Sequence, residues 1–236
     1  MTSTAILLGD TFGKSHPLTS VHEDYLKSIY LLHNEGTKVT NSALANYLKI
    51  TPASATNMVK KLAEWELITY EPYQSILLTE MGNRVALEVL RHHRLLELFL
   101  HEKLNLPLGQ VHEEAERLEH VLSDVLEEAI VNALGNPTID PHGDPIPAKD
   151  GTITPVDGIA LNEADLQKSY RVVRVLVQDQ ERLDYLHTLG LYPNANLVVM
   201  SHAPLNEPLL IQVQDKHHAL SYEMAQCLLV MPEESL

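Results

Sequence analysis

The sequence predicts a mainly α chain with small β parts: a helical N-terminal portion interrupted once by strands, then a strand-rich C-terminal portion. Three observations predict it. Apolar residues recur at three- and four-residue spacing from Pro17 to Leu134, except over residues 67–79, where the period becomes that of strands. A stretch rich in proline and glycine follows, from Gly135 to Gly158. Beyond it, from Tyr170 to Met231, β-branched and other apolar residues come in short runs.

Residues 1–16 read as a flexible arm. Tyr25, Ile29 and Leu32, with Leu26 and Tyr30 beside them, give the first helix its apolar face, and Gly36 closes it. A short second helix starts at a cap, Thr40 or Asn41, and turns Leu44, Ala45 and Leu48 inward. Thr51 followed by Pro52 pairs a capping hydroxyl with a proline at the first helical position, which opens a third helix through Met58, Val59 and Leu62. Leu67–Tyr70 and Ile76–Thr79 flank a turn at 71–75 and read as a β-hairpin. Three helices and a hairpin in that order make a winged helix-turn-helix, placed at 17–88.

A long helix is expected from Glu80 to about Leu104, broken before Pro107, and another from Gly109 to Leu134. The second carries the stripe Ala115, Leu118, Leu122, Val125, Ala129 and Ala133. A stripe beyond a complete small domain needs something to cover it, and a partner subunit is the natural cover. Residues 89–140 therefore read as a helical dimerisation and metal-binding domain, and 141–169 as a linker or an ordered strap. Residues 170–236 read as a small β-barrel of five or six strands with one helix, Glu181–Leu189, ending at Gly190.

Composition narrows the setting. No apolar run approaches the ~20 residues that span a bilayer, the first fourteen residues lack a signal-peptide pattern, and the single Cys227 cannot close an intramolecular disulfide. A cytoplasmic protein without membrane contact is expected. The formal net charge of −15 opposes nucleic acid as a total, but its distribution does not. Thr40–Ala63 contains no Asp or Glu and carries Lys49, Lys60 and Lys61, whereas acids crowd Glu97–Glu128 together with His101, His112 and His120. The pattern suggests anion binding in one place and cation binding in another.

The third helix is the candidate DNA reader. Thr51, Ser54, Thr56 and Asn57 can bond base edges or phosphates, Ala53 can meet a thymine methyl, and Lys60 and Lys61 would face phosphate. On the long helices His93 and Glu97 stand at i, i+4, and Glu116, Glu119 and His120 at i, i+3, i+4, with His112 one turn before Glu116. Imidazoles and carboxylates without thiolate suit a harder first-row ion. No His-Glu-x-x-His pattern appears and nothing builds a substrate pocket, so no enzyme is expected. Two readings stand against a metal switch: a winged-helix regulator of another signal, and a metal-dependent hydrolase using Glu113 or Glu114 as base.

The segments Glu23–Tyr30, His92–Glu97, Val111–Asp124 and the strap Pro141–Pro147 resemble the diphtheria toxin repressor family of metal-dependent transcriptional regulators, from about Leu18 to Val230. Residues 170–236 are similar to the SH3-like, FeoA-like domain that ends its longer members, Leu189–Pro193 matching a typical turn. The resemblance implies a homodimeric repressor of manganese and iron homeostasis that binds a palindromic double-stranded operator when its metal locks the dimer. It implies two metal sites per subunit, for Mn2+ or Fe2+. One would use His93, Glu97 and His112 with help from the barrel, where Asp179 or Gln180 are the candidates. The other would use Asp24, Glu116, Glu119 and His120. Glu116 stands where the iron-responsive branch has a cysteine and Asp24 where it has a methionine, and oxygen for sulfur implies manganese. Some manganese members carry a glutamate at the position of Lys27, so two separate sites are implied here in place of a binuclear cluster.

Overall fold

The computed structural model describes residues 18–71, 74–177, 180–201 and 208–233. The expected N-terminal arm and Asp179 lie outside them. Helices are α1 (Ser20–Asn34), α2 (Asn41–Tyr47), α3 (Pro52–Glu64), α4 (Glu80–Glu102), α5 (Leu108–Leu118), α6 (Asp124–Leu134), α7 (Gln180–Thr188) and α8 (Tyr222–Gln226). Strands are β1 (Ile68–Thr69), β2 (Leu77–Leu78), β3 (Ile159–Ala160), β4 (Ser169–Val175), β5 (Asn196–Ser201), β6 (Leu209–Val213), β7 (Lys216–Leu220) and β8 (Leu228–Pro232). Two compact units form. One holds the described residues up to His93 with Ala115–Ala133 and Pro147–Thr152, and the other holds Arg94–Glu114, Leu134–Ile146 and the residues from Ile153 on.

In the first unit the apolar faces read from the sequence meet as one core. Leu26, Ile29, Leu44, Val59 and Leu62 from α1–α3 close around Leu67 and Ile76 of the hairpin. Each such side chain contributes about 1.5–3 kcal/mol by leaving water. Thr40 is the cap of α2, its Oγ1 accepting from the Ala43 N–H at 3.1 Å. Thr51 caps α3 in the same way, accepting from the Ser54 N–H at 3.2 Å, with Pro52 at the first turn. In the hairpin Ile68 pairs with Leu78 and Thr69 with Leu77, antiparallel. Gly82 lets the first turn of α4 lie against this wing, since a Cβ there would stand 1.9 Å from the Leu67 carbonyl oxygen.

The helix expected from Gly109 to Leu134 is instead two, α5 and α6. The Glu119 N–H still reaches back to the Ala115 carbonyl at 2.9 Å, but Val121 bonds the nearer Leu118 carbonyl at 3.0 Å, which tightens and ends the helix. Ser123 then starts α6, its Oγ accepting from the Leu126 N–H at 3.3 Å, with Asp124 in the first turn where the helix dipole favours an anion. The expected stripe is divided accordingly. Ala115 and Leu122 are buried in the protomer, whereas Leu118 and Val125 are 39% and 79% exposed.

The second unit is built on a six-stranded antiparallel sheet in the order β3-β8-β4-β5-β6-β7. Tyr170, Val172 and Val175 of β4 turn inward with Leu197, Val199, Ile211, Leu228 and Leu186 of α7, giving a core of its own. The first part of the Pro/Gly-rich stretch is an ordered strap. The Asp140 carboxylate accepts from the N–H groups of His142 and Asp144 at 2.8 and 2.9 Å, and residues 142–146 are buried. Gly143 makes this possible: its φ is +85°, and a Cβ there would stand 2.1 Å from the Val173 carbonyl oxygen. The guanidinium of Arg94 lies 3.6 Å from Asp140 and 3.5 Å from Asp144.

Candidate metal centre and DNA-reading helix

In the first unit, α1 and the end of α5 bring oxidation-resistant, hard donors together. Asp24, Glu119 and His120 present ligand atoms within 4.8 Å of one another, and so do His93, Glu116 and Glu119. Glu119 is the hub, with a side chain wholly removed from solvent. One of its oxygens lies 2.5 Å from Lys27 Nζ and 3.3 Å from His120 Nε2, and the other 2.6 Å from His93 Nδ1. Glu116 Oε1 lies 2.7 Å from the same Lys27 Nζ. His120 is held from both sides, Nδ1 by Glu23 at 2.6 Å and Nε2 beside Asp24 at 2.9 Å. His92 Nδ1 meets the Glu119 carbonyl oxygen at 3.1 Å, which fixes the backbone where α5 ends.

The electrostatics follow from this crowding. Burial works against a charged His120 ring, but hydrogen bonds to Asp24 and Glu23 and the charges of Glu119 and Asp24 outweigh it and push its pKa up to about 10. Burial likewise works against a charged Lys27, and Glu119 and Glu116 overcome it, so its pKa is raised. The cluster thus already attracts positive charge. Asp24, Glu119 and His120 supply two carboxylates and an imidazole with no thiolate, a donor set that fits a hard or borderline divalent ion.

The expected ligands fall into two places. Asp24, Glu116, Glu119 and His120 are together, and His93 turns its Nδ1 to Glu119. Glu97 and His112 are paired in the second unit, Oε1 to Nδ1 at 3.1 Å. Gln180 is the first residue of α7, and Asp179 lies outside the described residues. Glu23 and His92 were not foreseen. Only the neighbourhood of Glu23 to Asp24 could have signalled it, because its partner His120 is 97 positions away in sequence.

On α3 the side chains of Thr51, Ala53, Ser54, Asn57, Lys60 and Lys61 are exposed along one run of the helix. Thr56 is different. Its hydroxyl donates to the Pro52 carbonyl at 2.9 Å and accepts from Asn41 Nδ2 at 3.1 Å, tying α3 to α2. Lys61 Nζ lies 4.6 Å from the Trp65 ring centroid, a cation–π contact with the residue four positions on.

A winged helix-turn-helix joined to helices that gather carboxylates and imidazoles defines a metal-dependent, DNA-binding transcriptional regulator. Comparison with known proteins gives its family. Residues 17–76 match the N-terminal DNA-binding domain of iron-dependent repressors, 79–148 their metal-binding and dimerisation domain, and 159–232 the FeoA domain. The chain is 30% identical over 225 residues to the iron-dependent repressor IdeR of Mycobacterium leprae, covering 90% of this chain and 97% of that one. It is 33% identical over 164 residues to the diphtheria toxin repressor of Corynebacterium jeikeium, covering 69% and 67%. Among solved structures it is similar to a manganese-dependent transcriptional repressor in complex with manganese, with a TM-score of 0.82, 31% identity, and 90% and 100% of the two chains covered. The chain belongs to the diphtheria toxin repressor family of iron-dependent repressors; it is a regulator and not an enzyme. No helix among the described residues is long and apolar enough to cross a membrane.

Proposed function

We propose that this repressor is switched by manganese, with ferrous iron as the competing ion, and that it acts in the cytoplasm on a palindromic operator of metal-uptake genes. The observation that carries the proposal is the convergence of Asp24 on α1 with Glu119 and His120 at the end of α5. An ion bound there replaces the His120 proton that lies between Asp24 and Glu119, and bonds all three side chains at once. Asp24 belongs to the helix that supports α3 through their shared core. Glu119 and His120 lie next to the exposed apolar residues Leu118, Val121, Val125 and Leu126, which form the contact with the partner subunit. Fixing Asp24 to Glu119 and His120 therefore fixes the reading helix to the dimer seam. In the homodimer this sets the separation of the two α3 helices, and two-fold symmetry makes the operator palindromic. Glu97 and His112 hold a second, separate ion. Oxygen donors at Asp24 and Glu116 favour manganese.

Fluorescence anisotropy of the full chain with its own upstream DNA tests the proposal. Chelator-treated protein should not bind. Added manganese, and less effectively anaerobic ferrous iron, should restore binding, and a Glu119→Ala, His120→Ala protein should remain inactive with either. Equal binding with and without chelator would leave a winged-helix regulator of some other signal.

A further inference from the structure

The single tryptophan of the chain, Trp65, ends the DNA-reading helix. Its backbone N–H donates to the Lys61 carbonyl at 3.1 Å, which anchors the residue to the last turn of α3. On the other side it meets α1. The rings of His22 and Trp65 have centroids 4.7 Å apart and planes inclined at 46°, a separation typical of aromatic pairs. His22 is 4% exposed. Its Nδ1 accepts from the Thr19 N–H at 3.0 Å and lies 2.8 Å from Thr19 Oγ1, which locks the ring to the start of α1. Its Nε2 is buried without a hydrogen-bond partner. A glutamine would make the same cap with a flexible amide in place of a ring, and a buried unpaired donor is costly. Capping alone therefore does not account for an imidazole at this position.

We infer that His22 and Trp65 are positioning residues of the switch: their paired rings carry the hold of the metal on α1 to the reading helix. Asp24 follows His22 by two positions, about 200° round an α-helix. The contacts lie accordingly on opposite sides, Asp24 beside His120 and His22 against Trp65. The start of α1 is thus a spacer between the candidate centre and the last turn of α3. On the metal reading of Asp24, Glu119 and His120, on which this rests, an ion fixes one side of the spacer. The imidazole then holds the indole, and the indole sets both the end of α3 and the reach of Lys61, whose Nζ lies over it. Neither ring touches metal or DNA in this scheme; each acts through its neighbour.

Operator affinity of the full-length protein, measured with Mn2+ and in chelator, gives an activation ratio that tests this. Mn2+ affinity without DNA is measured alongside. His22→Gln keeps the cap and removes the ring. Its ratio should fall by about 3–30-fold, with Mn2+ affinity and the affinity for DNA in chelator unchanged. His22→Phe loses the cap bond and keeps a ring, and should retain the ratio. Trp65→Leu should lose as much as His22→Gln, and the double variant no more than either alone. An unchanged ratio in His22→Gln overturns the inference. So does an equal loss in His22→Gln and His22→Phe, which would leave His22 as a structural residue only. If Trp65→Leu does not fold, the two His22 variants decide by themselves. A wild-type ratio of one overturns the metal reading beneath, so the two failures appear in different proteins.

Discussion

Glu23 holds His120 through Nδ1 at 2.6 Å, and so turns the opposite ring nitrogen, Nε2, toward Asp24 and Glu119. A carboxylate behind an imidazole sets its tautomer and orientation, and loss of such a partner typically costs about 10–100-fold in metal affinity. Glu23→Gln should therefore weaken Mn2+ binding by a factor in that range while leaving the number of ions unchanged, as read by isothermal titration. Unaltered affinity would mean that Glu23 only packs α1.

The strap has a pH signature of its own. Burial first, then the charges of Asp144 and Glu97, push the Asp140 carboxyl well above the ordinary range, against the pull of Arg94 and of the Asp144 N–H. A carboxyl whose folded pKa is raised binds its proton more tightly in the folded chain than in the unfolded one. Its contribution to stability is greatest at low pH and is lost as pH rises from about 4 through the folded pKa. Asp140→Asn removes that loss and keeps an oxygen for the His142 and Asp144 N–H groups. In chelator, the thermal midpoint of the variant minus that of wild type should increase with pH above about 4 and then level off. A difference that is the same at every pH contradicts the assignment.

On α3 the residues divide by what their side chains already touch. Lys60 is exposed, and Lys60→Ala should weaken binding to every DNA alike and reduce the salt dependence by about one unit of slope. Asn57→Ala should instead lower discrimination among operator variants by about 1–3 kcal/mol. Thr56→Val should cost about 0.5–1.5 kcal/mol of stability through its lost bonds to Asn41 and Pro52, with base preference intact. Binding isotherms on operator variants at several salt concentrations, with thermal melts alongside, distinguish the three.

The dimer seam is tested by Val125→Asp. Val125 is 79% exposed in the protomer, next to Val121 at 70% and Leu126 at 50%. A carboxylate in a seam formed there would be buried without a partner. The variant should sediment as a monomer that keeps its helical circular-dichroism signal and whose thermal midpoint no longer depends on protein concentration. A variant that remains dimeric would place the partner elsewhere.

Much of this was legible in the sequence because it is local. Whereas β3 lies in the stretch read as a linker, the caps at Thr40 and Thr51, the faces of α1–α3, the hairpin at 67–79 and the apolar runs that become β4, β5 and β6 each announce themselves within a dozen residues. The division at 119–123 did not, because Val121-Leu122 continues an apolar pattern and contains neither Gly nor Pro; only Ser123-Asp124 signals a new helix start. The i, i+3, i+4 spacing of Glu116, Glu119 and His120 identified half of the centre. The other half comes from α1, where phase alone could not show that Glu23 and Lys27 join Asp24 in facing residues about ninety positions away.

On the proposed function, metal at Asp24, Glu119 and His120 and operator DNA favour the same arrangement of the dimer. Coupling of that kind is reciprocal. The most direct measurement is the Mn2+ affinity of the full chain with and without saturating operator, set beside the operator affinity with and without Mn2+. DNA should tighten metal binding by the same overall factor as metal tightens DNA binding, and both factors should fall to one in Asp24→Ala. Mn2+ affinity that is indifferent to operator would contradict it.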